Sequence, residues 1–221
     1  MNRQFRNRSE AGRQLAGELS AYANRPDVLV LALPRGGVPV AYEIARALNL
    51  PLDVFVVRKL GVPGHEELAM GAIASGGVRV VNGSVVDSLG ITPEVMDAVA
   101  RREEHELKRR EKTYRDGRPA PDVRDRTVIL TDDGIATGST MYAAISALRR
   151  MGAGSIVVAT PAIARETHRE MRPETDDLVA LIIPEEFYGV GQWYADFSQT
   201  TDEEVRELLA KAEQLHQSAE P

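Results

Sequence analysis

The sequence predicts an α/β fold: a doubly wound, mostly parallel five-stranded sheet flanked by helices, with a small hood formed by the terminal segments. Short apolar runs of strand length recur along the chain, apolar residues at helical spacing follow them, and glycines or prolines separate the two patterns. Strands that alternate with helices are typical of parallel sheets, because each helix carries the chain back across the sheet. We predict one domain across residues 1–221, with its core at 24–183 and a C-terminal hood and helix at 184–216.

The apolar runs predict strands at residues 27–33, 52–57, 127–130, 155–160 and 178–183, with a further short strand at 78–81. Helical periodicity predicts helices at 9–23, 40–48 and 141–151, and a short helix within 164–174. A long helix is predicted to begin at Thr92, because threonine is a good N-cap and Pro93 suits the first helical position. The last helix is predicted to begin at Thr201, which forms a capping-box pattern with Glu204.

Composition and charge exclude several classes of function. The formal net charge of −6 and the pI near 5.4 argue against a nucleic-acid-binding surface, and the mixed charges at 101–112 indicate a solvated helix held by weak ion pairs. The absence of cysteine excludes disulfides, thiolate zinc sites and a cysteine nucleophile. No apolar stretch approaches the ~20 residues of a membrane span, and residues 1–9 are polar. We therefore expect a cytoplasmic protein with neither nucleic acid nor membrane as a partner.

The most informative stretch is residues 128–140, Val-Ile-Leu-Thr-Asp-Asp-Gly-Ile-Ala-Thr-Gly-Ser-Thr. A strand leads through two carboxylates into a small hydroxylated loop and then into a helix, so the loop amides are unpaired first-turn donors. A phosphate placed there meets N–H groups, hydroxyls and the positive helix end together. Carboxylates would repel a phosphate, so Asp132 and Asp133 suit sugar hydroxyls or a Mg²⁺ ion held through water. The stretch predicts a phosphate and a polyol side by side.

Two earlier segments carry charge that suits a second anion. Residues 34–37, Pro-Arg-Gly-Gly, follow the first strand, where the glycines allow backbone amides to approach an anion and Arg35 can chelate it with its planar guanidinium. Arg58 and Lys59 are predicted at the carboxyl end of the second strand, the edge where ligands bind α/β sheets. Residues 60–67 are rich in breakers and are predicted to form a loop. Taken alone, each segment also fits an ordinary turn or a solvated surface.

Residues 128–140 resemble the phosphoribosyl diphosphate (PRPP) binding motif of the type I phosphoribosyltransferases, which has four mostly apolar residues, two acidic ones and a small-residue Thr-Gly-x-Thr loop. The resemblance implies that Asp132 and Asp133 hold the ribose 2′ and 3′ hydroxyls. It also implies a 5′-phosphate loop made of Ala136, Thr137, Gly138, Ser139 and Thr140, and a diphosphate loop that contains Arg35, Gly36 and Gly37. Residues 60–75 match in position the mobile loop that closes over the active site of similar enzymes.

The activity that the resemblance implies is the transfer of ribose-5-phosphate from PRPP, with Mg²⁺, to a nitrogen acceptor, with release of pyrophosphate. Charge accumulates on the departing diphosphate, so Arg35, Arg58 and Lys59 are expected to contribute most at the transition state. A carboxylate of the mobile loop, Glu66 or Glu67, is a candidate for handling the proton of the acceptor. The partners implied are PRPP and a small-molecule acceptor, and we expect a homodimer.

The acceptor is predicted to be a nucleobase or a similar flat heterocycle. Family members place the base against residues that follow the last strand, where this chain concentrates its aromatic residues, so Phe187, Tyr188 and Trp193 are the predicted base-binding residues. The alternative is that these rings form a hydrophobic plug that fixes the C-terminal helix. Ala136 stands where enzymes acting on 6-oxopurines usually carry an acidic residue, which disfavours hypoxanthine and guanine as acceptors.

Other phosphate and hydrolase chemistries lack their motifs. No Gly-Lys pair is present for a kinase-type phosphate loop, and no Gly-x-Ser-x-Gly elbow is present for a lipase-like hydrolase. Gly152 and Gly154 follow a predicted helix and precede a strand, the reverse of a dinucleotide fingerprint. The remaining alternative is a non-catalytic protein of the same fold that binds PRPP or a nucleotide as a regulator.

Overall fold

The computed structural model describes residues 4–219 of the chain, with side chains up to His216. Its elements are α1 (Arg8–Glu18), β1 (Val28–Ala32), α2 (Gly37–Leu48), β2 (Leu52–Val54), β3 (Val57–Val62), β4 (His65–Ala74), β5 (Val78–Val81), α3 (Gly83–Leu89), α4 (Pro93–Arg115), β6 (Thr127–Thr131), α5 (Ser139–Arg150), β7 (Ser155–Ala162), α6 (Arg165–Met171), β8 (Asp177–Ile182) and α7 (Asp202–Ala219). Within the described part of the chain, no helix has both the length and the apolar character needed to cross a membrane.

A five-stranded parallel sheet forms the centre of the fold and confirms the predicted fold class. Its strand order is β2-β1-β6-β7-β8, and every neighbouring pair is parallel. The chain therefore moves from β1 to β2 in one direction, and from β6 to β8 in the other. The strand order reverses between β1 and β6, and ligands of α/β proteins bind at such a switch point, outside the carboxyl ends of the strands.

Helices cover both faces of this sheet because successive strand residues point to opposite sides. Val30, Ile129 and Val157 belong to a core that packs against α1, α2, α4 and α7. Leu31 and Leu130 belong to a second core, which packs against α5 and α6. All five residues of β1 and of β6 are buried, which explains why these strands have continuous apolar runs rather than alternating ones.

A second sheet corrects the predicted strand at 52–57 and the predicted loop at 60–75. The parallel strand β2 ends at Val54, and β3, β4 and β5 form a separate antiparallel sheet. Arg58 and Lys59 therefore lie inside β3 and not at the carboxyl end of a parallel strand. Residues 60–75 are mostly hairpin, with a tight turn at Gly64, where φ is +80°. The short strand predicted at 78–81 is confirmed as β5, which pairs with β4.

Both helix starts that were predicted from capping residues are confirmed. Thr92 is the N-cap of the 23-residue helix α4, where its hydroxyl accepts a hydrogen bond from the Val95 N–H at 3.5 Å. The Thr201 hydroxyl accepts one from the Glu204 N–H at 3.1 Å at the start of α7. One face of α4 is less solvated than its mixed charges indicate, because Glu103 is buried.

The two terminal segments meet to form the hood, which we define as residues 4–7 and 187–198. The Phe5 N–H donates to the Trp193 carbonyl at 2.8 Å, and the Ala195 N–H donates to the Phe5 carbonyl at 2.8 Å. Phe5, Trp193 and Tyr194 then share a small hydrophobic cluster with two alanines of α1 and β7. This arrangement confirms the predicted hood of terminal segments.

Candidate active site

The loops that follow β1 and β6 lie in contact at the switch point of the parallel sheet. A Cβ atom added to Gly36 would lie 2.1 Å from Asp133 Oδ2, and one added to Gly37 would lie 2.8 Å from the Thr131 carbonyl oxygen. The peptide bond between Pro34 and Arg35 is cis. The two glycines predicted to let an anion approach are thus also what allows the loop that carries Arg35 to touch the loop that carries the acidic pair.

The two adjacent carboxylates have different surroundings. Asp133 accepts a hydrogen bond from Arg8 Nε at 2.8 Å, and its own N–H donates to Asp132 Oδ1 at 2.8 Å. Burial, reinforced by the negative charge of Asp133, raises the pKa of Asp132 well above its usual value. Asp133 is therefore paired with a cation, whereas the surroundings of Asp132 disfavour its charged form.

Arg8 is a site residue that the sequence did not reveal. Its Nη1 donates to the Ser198 carbonyl at 2.7 Å, and its guanidinium carbon lies 4.1 Å from the centroid of the Phe197 ring. The side chain is only 11% exposed. Arg8 thus joins α1, the hood and the acidic pair. The first 13 residues contain four arginines, and nothing in their local pattern distinguishes the one that reaches the site.

The hood also rests directly on the loop after β6. The Tyr194 hydroxyl donates to the Asp133 carbonyl at 2.6 Å, and a Cβ atom on Gly134 would lie 2.4 Å from Val190 Cγ1. Burial, with the nearby charge of Asp133, raises the pKa of Tyr194, so this phenol remains a hydrogen-bond donor. The hood therefore fixes the backbone that presents the acidic pair.

The predicted 5′-phosphate loop is open to solvent at the start of α5. Thr137, Ser139 and Thr140 are exposed, and the Thr137 and Ser139 hydroxyls lie 3.1 Å apart. Gly138 has a φ of +72°, and a Cβ atom there would lie 2.9 Å from the Thr167 methyl group. The Thr167 hydroxyl also donates to the Ala136 carbonyl at 2.5 Å. Helix α6 therefore braces this loop from behind while the hydroxyls face outward.

Arg35 is paired with the C-terminal helix. Its Nη1 lies 3.6 Å from Asp202 Oδ1, and the Tyr114 hydroxyl of α4 donates to the same oxygen at 2.8 Å. Burial, together with the Asp202 carboxylate, raises the pKa of Tyr114 to about 12. The sequence predicted Arg35 but gave no sign of Asp202 or Tyr114 beside it.

The hairpin residues predicted to act in catalysis point in different directions. Arg58 donates to Glu103 Oε2 from Nη2 at 2.7 Å and from Nε at 2.9 Å, so it faces α4. Lys59, its neighbour in β3, points to the opposite side and lines a groove of about 410 Å³ together with Glu67 and Ser139. Glu66 is exposed near the hairpin turn. The structure thus brings Lys59 and Glu67, but not Arg58, toward the phosphate loop.

The three predicted base-binding aromatics also differ in exposure. Trp193 is 6% exposed, and its ring lies 6.0 Å from that of Phe187 at an interplanar angle of 42°. Tyr188 is 83% exposed, with its hydroxyl donating to Glu186 at 2.9 Å. In this arrangement Trp193 packs as core, as in the plug alternative, although the cluster holds the N-terminal segment rather than the C-terminal helix. Base binding by these residues stays a prediction, and Tyr188 offers the most open ring.

Comparison with known proteins gives two clear relationships. A family model described as phosphoribosyl transferase domain matches residues 4–197. The protein Rv0571c of Mycobacterium tuberculosis (strain ATCC 25618 / H37Rv), which is provisionally named a phosphoribosyl transferase, is 46% identical over 208 residues, or 94% of this chain and 47% of that protein. The chain therefore spans about half the length of the curated relatives it matches.

A solved structure shares the fold closely. The crystal structure of TT1426 from Thermus thermophilus superimposes with a TM-score of 0.84 at 38% sequence identity, covering 94% of this chain and 98% of that chain. The likeness therefore extends over nearly the whole length of both chains.

Proposed function

This chain belongs to the phosphoribosyl transferase domain family, and we propose that it transfers ribose-5-phosphate from PRPP to a nitrogen acceptor with release of pyrophosphate. The contact between the loops after β1 and β6 carries this proposal. It brings a guanidinium, a pair of carboxylates and an open hydroxylated helix start to one edge of the sheet. PRPP has the matching sequence of groups, a diphosphate, a polyol and a phosphate.

Each part of PRPP has a chemically suited partner in this arrangement. The 5′-phosphate would bind at residues 136–140, where exposed hydroxyls and the first amides of the 12-residue helix α5 favour an anion. The ribose hydroxyls would donate to Asp132 and Asp133. The diphosphate would extend toward Arg35, whose loop touches Asp133 through Gly36.

A Mg²⁺ ion fits the acidic pair. Asp132 and Asp133 would hold the ion through water. Mg²⁺ commonly keeps several waters and binds through one or two carboxylates plus phosphate oxygens. When bound, the ion supplies positive charge that neutralises the departing diphosphate.

The residues of the chain then act mainly by electrostatics and positioning. Bond breaking leaves a cationic, oxocarbenium-like ribosyl group near the carboxylates and adds negative charge to the diphosphate near Arg35, so both interactions strengthen at the transition state. Lys59 would add positive charge from the groove at the hairpin, and Glu66 or Glu67 would accept the proton of the acceptor nitrogen. Arg58 would act only if the hairpin moves, because it is held by Glu103.

The proposed acceptor is an aromatic heterocycle. Tyr188 presents an open ring, whereas Phe187 packs against the buried Trp193. Ala136 offers a methyl group and no carboxylate to a purine placed over the phosphate loop, so 6-oxopurines are disfavoured. The proposal includes a homodimer in the cytoplasm, which sedimentation and cell fractionation test.

Turnover is the decisive test. The full chain is incubated with PRPP and Mg²⁺ against a panel of bases and amines, and pyrophosphate release is measured. We expect release with a heterocyclic acceptor, with adenine-like compounds responding before hypoxanthine or guanine. PRPP binding without pyrophosphate release from any acceptor would favour the alternative, a regulator of the same fold.

A second test addresses the acidic pair by itself. Asp132→Asn combined with Asp133→Asn keeps the shape of the site but removes its charge, so PRPP with Mg²⁺ should no longer raise the melting temperature. Asp87→Asn, at an exposed carboxylate of α3, is the matched control and should keep the full shift. An unchanged shift in the double variant would remove Asp132 and Asp133 from the binding site.

A further inference from the structure

The cation proposed to receive the diphosphate already has an anionic partner within the chain. Arg35 Nη1 lies 3.6 Å from Asp202 Oδ1, and the two side chains are 35% and 34% exposed. The separation exceeds that of a good hydrogen bond, so the contact is a loose ion pair. Asp202 is the first residue of α7, which places the start of that helix at the same edge of the sheet as the ligand loops.

Asp202 is held in this position from a second direction. The Tyr114 hydroxyl donates to Asp202 Oδ1 at 2.8 Å, and Tyr114 itself is 4% exposed, so α4 fixes the donor by packing. Arg109 of α4, which is itself paired with Glu106, adds a further positive charge on the same side. The carboxylate therefore keeps a hydrogen-bond partner and contact with solvent even when it is separated from Arg35.

We propose that Asp202 occupies the anion position at Arg35 in the ligand-free protein and that a diphosphate displaces it. Asp202 is then an internal competitor that sets how tightly diphosphate ligands are held. This inference rests on the proposed function, because it takes Arg35 to be the partner of the diphosphate. The loose contact and the retained Tyr114 hydrogen bond make displacement easy, which suits a site that must bind PRPP and later release pyrophosphate.

An internal competitor has a distinctive signature. It weakens every ligand that uses Arg35 by the same factor, and it leaves ligands that do not use Arg35 unaffected. PRPP and pyrophosphate carry a diphosphate, whereas ribose-5-phosphate does not. An ion pair that is a third exposed is worth little, so removing the competitor should strengthen PRPP and pyrophosphate binding about two- to fivefold.

The experiment compares three ligands by titration calorimetry at low salt. Asp202→Asn removes the charge but keeps an oxygen that can accept from Tyr114. Glu203→Gln makes the same change in net charge at the neighbouring, exposed residue and is the matched control. We expect Asp202→Asn to strengthen PRPP with Mg²⁺ and pyrophosphate two- to fivefold, with ribose-5-phosphate unchanged, and Glu203→Gln to change none of the three.

A double variant tests whether Asp202 acts through Arg35. In the Arg35→Ala background, Asp202→Asn should not further strengthen the binding of PRPP or pyrophosphate, because the cation for which Asp202 and the diphosphate compete is absent. An equal gain for ribose-5-phosphate, a gain that persists without Arg35, or no gain at all would overturn the inference while the proposed function stands. If PRPP and pyrophosphate bind to neither the parent nor any variant, the proposed function fails and the inference fails with it.

Discussion

The N-terminal and C-terminal helices each supply one charged side chain to the candidate site, and the two ion pairs that result differ in how far they are buried. Arg8 of α1 lies 2.8 Å from Asp133, with side chains 11% and 13% exposed. Asp202 of α7 lies 3.6 Å from Arg35, with both side chains about a third exposed. A pair withdrawn from water cannot lose one member without leaving an uncompensated charge, whereas an exposed pair exchanges its partner at small cost. The Arg8–Asp133 pair therefore fixes the loop after β6, whereas the Arg35–Asp202 pair leaves Arg35 available to bind a ligand.

Breaking the deep pair should have the largest effect. Arg8→Ala leaves Asp133 unpaired beside Asp132 and removes the contact with Phe197, so we expect the free energy of unfolding to fall by about 2–4 kcal/mol. Denaturant unfolding measures the change. Arg6→Ala is the control, because Arg6 belongs to an exposed pair with Glu10 and its side chain is 78% exposed. Equal losses for the two variants would show that the depth of the Arg8 pair is unimportant.

Forcing the two loops apart should have the next largest effect. Gly36→Ala places a Cβ atom against the Asp133 carboxylate, which Arg8 holds in place, so we expect a loss of about 1–3 kcal/mol in the free energy of unfolding. A Cβ atom at Gly17, in α1, meets nothing within 4 Å, so Gly17→Ala should be neutral or stabilising by up to ~1 kcal/mol. A Gly36→Ala variant as stable as the parent would mean that the loop contact adapts freely.

Removing the cation of the loose pair should separate stability from binding. We expect Arg35→Ala to change the free energy of unfolding by less than about 1 kcal/mol, yet to weaken PRPP and pyrophosphate by about tenfold while sparing ribose-5-phosphate. Arg25→Ala, which opens an exposed pair with Asp27 at the other edge of the sheet, should leave all three affinities unchanged. A uniform loss for the three ligands would show that the assignment of the Arg35 loop to the diphosphate is wrong.

The smallest expected effect is that of salt, which should weaken the exposed ion pair more than the buried one. Double-mutant cycles on unfolding, measured at about 0.05 M and 0.5 M NaCl, give the coupling energy within each pair. We expect the coupling of Arg35 with Asp202 to fall from about 0.5 kcal/mol toward zero. The coupling of Arg8 with Asp133 should keep most of its value, because solvent ions do not reach it well. Similar salt dependence for both pairs would contradict the difference in depth.

The parallel sheet was predictable from the sequence, and the antiparallel sheet was not. Strands β1 and β6 are buried on both faces, so their apolar runs are unbroken. The sequence of the β3 and β4 hairpin contains several glycines, which is the pattern of a loop, and a loop was therefore predicted there. A Cβ atom at Gly61 would lie 2.7 Å from the Glu66 carbonyl oxygen, and one at Gly71 would lie 2.4 Å from that of Val80. These glycines allow close strand contact, a requirement that arises only once the strands are paired.

The candidate site likewise has a part that the sequence could predict and a part that it could not. The loop residues Arg35, Asp132 and Asp133 were predictable, because each loop is a local motif after a strand. Arg8 reaches Asp133 across 125 residues of sequence, and Asp202 reaches Arg35 across a still longer interval. No local periodicity or spacing reports such contacts. The functional roles predicted for the hairpin and hood residues remain predictions.

The junction between the chain ends also bears on the order of folding. Phe5 and Tyr194 form a parallel bridge between segments that are almost the full chain apart. Contacts so distant in sequence close very large loops and therefore form slowly. The central sheet can assemble before them, and the hood then closes over the loop after β6. Trp193, the single tryptophan, is buried in that junction, so its emission during refolding reports when the first and last segments of the hood come together.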